Sequence, residues 1–82
     1  MKVFLSTQAH KHYLKLSTPD QKKINKKLQA LSLEPLAGKK LKGQLEGLYS
    51  LRAWPYRIIY QINQQSKELW VVEIFHRQNV YK

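Results

Sequence analysis

Hydrophobic and polar positions change period twice along the chain. Lys2–Leu5 puts Val3 and Leu5 on one side of a short strand. A helical period follows, with Ala9, Tyr13 and Leu16 forming one apolar stripe. The spacing predicts a first helix to about Leu16, capped by Ser6 or Thr7. Thr18-Pro19-Asp20-Gln21 then offers a Thr at the cap, a Pro at the first helical position and a Gln three residues after the cap. The second helix so started carries Ile24, Leu28 and Leu31 at i, i+4 and i+7 as its buried stripe. Lys22, Lys23, Lys26 and Lys27 occupy its other faces, and Glu34-Pro35-Leu36-Ala37-Gly38 breaks it. Lys39-Lys40-Leu41-Lys42-Gly43 reads as a basic linker, with Gly43 and Gly47 bracketing a polar turn.

From Leu48 the period is two. Leu48–Ala53 reads as a strand and Trp54-Pro55 as a turn, because Pro55 cannot donate to a central ladder. In Tyr56–Asn63, Tyr56, Ile58, Tyr60 and Ile62 point one way and Arg57, Ile59 and Gln61 the other. A polar connection at 63–67 leads to a last strand, Glu68–Phe75, apolar on both faces and therefore central or covered. The predicted fold class is α+β, in the order β-α-α-β-β-β. A helical hairpin packs on a mainly antiparallel four-stranded sheet. The 82 residues make one domain, 1–82, with a thin core.

Composition narrows the function. Fifteen Lys and Arg against five Asp and Glu give a net charge of +10, a surface that attracts polyanions. The positive charges are sorted: every basic residue from Lys2 to Lys42 is a lysine, and Arg52, Arg57 and Arg77 all lie in the C-terminal half. Lysine suits long-range attraction, whereas the planar guanidinium suits a phosphate held at fixed geometry. The lysine face of the second helix fits either a solvated surface or a polyanion track. The absence of cysteine removes disulfides, thiolate chemistry and Cys-ligated zinc, and favours a cytoplasmic setting. The longest apolar run, Leu69–Val72, is far too short to span a membrane, and the N-terminal apolar stretch is too short for a signal peptide.

Little else carries chemistry. No residue set fits a Ser-His-Asp triad, and no carboxylate pair stands out. His10 and His12, at i and i+2 on a helix, point apart, so no metal and no cofactor is expected. What remains is basic and aromatic: Arg52, Arg57, His76 and Arg77 with Tyr49, Tyr56, Tyr60 and Tyr81. Such a set suits a phosphodiester. The arginines would stabilise developing charge, a histidine or tyrosine would move protons, and rings would stack a base. The alternative is equally open at this point: arginines in surface ion pairs and tyrosines in the core.

Four stretches in order resemble the RelE/ParE superfamily of toxins from bacterial type II toxin–antitoxin systems. They are Lys40-Leu41-Lys42-Gly43, Gly47-Leu48-Tyr49-Ser50-Leu51-Arg52, Tyr56-Arg57-Ile58-Ile59-Tyr60 and His76-Arg77-Gln78-Asn79-Val80-Tyr81. The resemblance covers residues 40–82 by motif and the upstream strand and helices by pattern. It implies a toxin whose concave sheet face is the working surface, and an antitoxin that wraps it in a hetero-oligomer. The RelE branch implies metal-independent cleavage of messenger RNA in the ribosomal A site. The ParE branch implies inhibition of DNA gyrase instead, and an inactive relative would bind only its antitoxin. The short hairpin and the terminal His-Arg-x-x-Val-Tyr resemble the RelE form.

By motif, Arg57 matches the family's arginine on the Tyr-Arg strand and Arg77 the one near the end of the last strand. Tyr81 matches the C-terminal tyrosine, and Arg52 a basic position on the preceding strand. The resemblance thus implies Arg57, Arg77, Tyr81 and His76 as the catalytic set, with Arg52, Lys39, Lys40, Lys42 and Tyr49 binding RNA. One departure stands out: where some RelE-type nucleases carry lysines on the first strand of the C-terminal half, this chain has Leu48, Tyr49 and Ser50. His76, Tyr49, Lys39, Lys40 and Lys42 are the candidate substitutes.

Overall fold

The computed structural model describes residues 1–76. The elements are β1 (Lys2–Leu5), α1 (Thr7–Leu14), α2 (Thr18–Leu33), β2 (Lys39–Lys40), β3 (Tyr49–Ala53), β4 (Tyr56–Asn63) and β5 (Glu68–His76). The strands form one sheet in the order β1-β5-β4-β3-β2. β1 runs parallel to β5, and every other neighbouring pair is antiparallel. The α+β class and the helical hairpin are as expected, but the sheet has five strands rather than four. The added one is β2, two exposed lysines within the stretch that reads as a linker. It has no apolar alternation of its own and exists because Lys39 and Lys40 pair with Ser50 and Tyr49.

Both helices begin at serines in extended conformation. Ser6 Oγ accepts from Ala9 N at 3.1 Å and donates to Val72 O at 2.7 Å, so the cap of α1 also ties it to β5. The cap of α2 is Ser17, one residue before the Thr18 that the spacing suggests, and its Oγ accepts from Asp20 N. Pro19 then falls within the first turn, where its missing N–H has no helical partner to lose. Gln21, expected to close a capping box, instead donates its side-chain amide to Tyr13 O at 3.1 Å and fastens the two helices together.

The helices cover one face of the sheet. Ala9, Ile24 and Leu31 pack there with Ala53, Ile58, Tyr60, Leu69, Val71 and Ile74, and Tyr13, Leu16 and Leu28 flank them. Each large aliphatic buried this way stabilises by roughly 1.5–3 kcal/mol. Tyr60 is the largest fully buried side chain. Its hydroxyl donates to Pro35 O at 2.8 Å and accepts from Gly38 N at 2.9 Å, which satisfies it inside an apolar core.

A bulge sets the faces of β5. Ile59 faces Glu73 and Tyr60 faces Val71, so Val72 has no partner on β4. One extra residue reverses the alternation. Leu69 and Val71 point to the helices before the bulge, Ile74 and His76 after it. Beyond Val71 the edge of β5 has no β1 partner, and α1 lies along it. There His12 Nδ1 sits 2.5 Å from Glu73 Oε1 and 3.3 Å from Ile74 O.

Tyr56 joins the sheet to α2, its hydroxyl donating to Asp20 Oδ2 at 2.8 Å. Burial first, then the hydrogen bond and charge of Asp20, hold this phenol above its ordinary value of 10.0. The folded state therefore keeps a proton that the unfolded chain releases near pH 10. The stability so gained is fully present below pH 10 and is lost as pH rises through the folded value. Urea melts between pH 8 and pH 11.5 should show a steeper alkaline loss in the native chain than in Tyr56→Phe. Parallel profiles would remove this linkage.

Candidate functional site

The sheet face away from the helices is built by the second parity of each strand. Arg52 on β3 lies directly opposite Arg57 on β4, and Arg57 directly opposite Phe75 on β5. Residues paired this way share a face, with Cβ atoms about 4.5–5.5 Å apart. The next row runs Lys39, Ser50, Ile59, Glu73 across four strands. Beyond it come Gln61, Trp70 and Phe4, the last two stacked at 4.9 Å. Cations thus hold one end of the open face, and an aromatic pair the other.

Between them lies a groove of about 330 Å³ lined by Gln8, Leu45, Leu48, Ile59, Val72, Glu73 and Phe75. Leu45 and Leu48 come from the segment between β2 and β3, which folds back over the sheet. Gly47, at φ 93°, supplies a backbone conformation that a side chain would strain on the way into β3. The groove floor is apolar, and its one carboxylate, Glu73, is engaged by His12.

Among the described residues, neither Arg52 nor Arg57 has a carboxylate within 4 Å. Glu73, on the neighbouring strand, pairs with His12, and Glu68 accepts from Trp70 Nε1 at 3.1 Å. Two guanidinium groups opposite each other repel, so the pair is not there to stabilise the sheet. Its two planar cationic forks suit an anion with several oxygens, such as a phosphate.

The expected site residues do not all meet. Lys39 enters the open face from the edge strand, in the row beside the arginines, on the side where β3 lacks lysines. Lys40 pairs with Tyr49, whose ring stacks on Tyr60 at 5.3 Å, so both belong to the helix-side parity. Lys42 is exposed just before the segment that carries Leu45. His76 lies opposite Tyr56, the rings meeting edge to face at 5.3 Å, on the helix side and away from Arg57. It lines a separate hollow with His12, Lys15 and Leu16. Arg77 and Tyr81 lie outside the described residues. The groove and the backfolded segment escaped sequence reasoning, which reads Gly43 and Gly47 as bracketing a polar turn. Among the described residues no group of three His, Asp or Glu side chains could hold a metal ion.

Comparison with known proteins converges on one group. A family model described as the ParE toxin of the type II toxin–antitoxin system parDE matches residues 3–81. Toxin RelG of Mycobacterium tuberculosis is 36% identical over 53 residues, which span 63% of this chain and 61% of the relative. In the toxin–antitoxin complex RelBE2 of the same organism, one chain superposes with a TM-score of 0.86. That chain is 29% identical, and the match covers 93% of this chain and 96% of that one. The RelE–RelB complex of Pyrococcus horikoshii gives 0.81 at 24% identity, covering 96% and 97%, a likeness of fold alone.

Proposed function

The chain belongs to the ParE toxin family of type II toxin–antitoxin systems, and from that premise we propose that it is a ribosome-dependent endoribonuclease that cuts messenger RNA. The observation that carries this is the Arg52–Arg57 pair, opposed on the open sheet face with no carboxylate within 4 Å among the described residues. A ribose 2′-hydroxyl would attack the adjacent phosphate. Arg57, with Arg77 from the terminal motif, would stabilise the charge that builds on the phosphorane-like transition state. Arg52 and Lys39 would hold the flanking phosphates. Tyr81, from the terminal motif, would move the proton. His76, turned toward Tyr56, is left out of this set. The likeness to Toxin RelG and to the toxin–antitoxin complexes supports the RelE form and a cognate antitoxin as partner. The setting would be the cytoplasm, with the ribosome and its message as partners.

The ParE description of the matching family favours a second reading, inhibition of DNA gyrase without RNA cleavage. Induction in cells followed by transcript-end mapping separates the two. New 5′ ends inside translated messages are the expected result. Intact messages with a DNA-damage response would overturn the nuclease and support the gyrase inhibitor.

A further inference from the structure

Among the described residues, the open face holds one carboxylate in the row next to its arginines. Glu73 on β5 faces Ile59, two residues along β4 from Arg57, whose own partner is Phe75. Residues in this diagonal relation lie about 7–8 Å apart, a gap that one phosphate and the hydroxyl attacking it can fill. Glu68 lies at the far end of the face and accepts from Trp70. The Glu73 side chain is 15% exposed. Its two neighbours both engage Oε1: His12 Nδ1, and Ile74 N at 2.9 Å. Oε2 has no partner among the described residues. It is not a buried orphan either, so solvent reaches it where Glu73 lines the groove.

Stability does not require a carboxylate here. Burying one costs desolvation, and its charge opposes the anion that the arginines attract. The helix it touches is already fastened, since Ser6 Oγ ties α1 to Val72 O. The face does lack a proton acceptor. Of the substitutes for lysines on β3, Lys40, Tyr49 and His76 belong to the helix side, and Lys39 arrives as a cation suited to phosphate. We infer that Glu73 is the general base of the cleavage reaction, taking the proton of the attacking 2′-hydroxyl on Oε2 while His12 and Ile74 N hold Oε1. This deepens the nuclease reading and rests on it. As the 2′-oxygen bonds to phosphorus, its O–H bond breaks and the proton passes to Glu73. The bond from phosphorus to the 5′-oxygen breaks, and that oxygen takes the proton that Tyr81 delivers. The products are a 2′,3′-cyclic phosphate and a 5′-hydroxyl. Water then removes the proton from Glu73 and returns one to Tyr81, so no further reactant is consumed.

Ribosomes programmed with a short message and mixed with an excess of the full chain give a single-turnover cleavage rate. Glu73→Gln keeps an acceptor oxygen for His12 and Ile74 but takes up no proton, so the rate should fall about 100-fold or more. Glu73→Asp, which draws the carboxylate back by one methylene, should fall between the two. A message methylated on the 2′-oxygen at the cut site lacks the attacking hydroxyl and reports binding alone. Glu73→Gln should bind that programmed ribosome as tightly as the native chain or more tightly, because a charge that repels phosphate is gone. Its melting midpoint should be unchanged. Cleavage by Glu73→Gln within about threefold of native would overturn the inference. So would a lost rate matched by an equal loss of binding or by a lowered midpoint, either of which makes Glu73 structural. A native chain that leaves the message intact would instead overturn the nuclease reading itself.

Discussion

Arg57→Ala should abolish growth arrest while leaving the chain folded and no less stable. Removing one preorganised donor from a developing oxyanion typically costs about 10²–10³ in rate. A toxin weakened that far should no longer halt growth. The stability forecast is the sharper half. Arg57 faces Arg52 across the β3–β4 ladder, and the neighbouring carboxylates are engaged elsewhere, Glu73 with His12 and Glu68 with Trp70. Deleting one guanidinium relieves like-charge repulsion worth a few tenths of a kcal/mol, most visibly at low salt. Were Arg57 a structural ion-pair member, alanine would cost up to about 1 kcal/mol and leave toxicity intact. Urea melts at two salt concentrations and a plating assay on the same variant decide between them. Arg57→Lys should recover activity only in part, because a point charge cannot reproduce the fork. Toxicity undiminished in Arg57→Ala would sink the site as drawn.

The largest expected effect on stability is at Gly38. A Cβ there would fall inside contact distance of Tyr60 Oη, 2.8 Å from Tyr60 Cε1 and 3.0 Å from Ser50 O. Tyr60 cannot retreat: it is fully buried, stacked on Tyr49, and bonded to both Pro35 O and Gly38 N. The backbone at Gly38 must move instead, pulling β2 from β3. Gly38→Ala should therefore cost about 2–3 kcal/mol, overpacking plus a strained buried hydrogen bond. For a domain of this size that lowers the melting midpoint by roughly 10–20 °C. Tyr60→Phe alone strands two backbone groups and should cost about 1–3 kcal/mol. In the double variant the nearest clashing atom is gone, although the ring edge remains, so the combined loss should be smaller than the sum of the two. Strict additivity in a double-mutant cycle would rule out this steric coupling between Gly38 and Tyr60.

The same residues show what the chain discloses in advance. Period and punctuation revealed the helices, and the alternation of Tyr56–Asn63 correctly set Arg57 and Ile59 apart from Ile58 and Tyr60. Those signals are local, written by residues within one turn or one strand of each other. β2 was hidden because Lys39 and Lys40 carry no apolar pattern and owe their pairing to β3. The place of His76 was hidden by the bulge at Val72. Counting by twos from Leu69 sends His76 to the open face beside Arg57, but the unpaired residue sends it to Tyr56. A bulge is decided by register against the neighbouring strand, which a single strand's sequence does not carry. Likewise Ser17 displaced Thr18 at the cap of α2 because both can cap, and Asp20 is held by Tyr56 from a distant strand.

Among the described residues β5 is the last strand in chain order, yet it lies inside the sheet, between β1 and β4. Lys2 meets Glu68, so β1 has no strand partner until β5 has been synthesised. The closure entropy of so long a loop must be overcome before the pairing returns any free energy. A nascent chain stopped at Lys67 holds helices whose Ile24 and Leu31 lack the Leu69, Val71 and Ile74 they pack against. Pulse proteolysis of such a stalled chain should find it open. Folding is therefore deferred until β5 has left the ribosome: a growing polypeptide short of that strand has no finished sheet face to present to any partner.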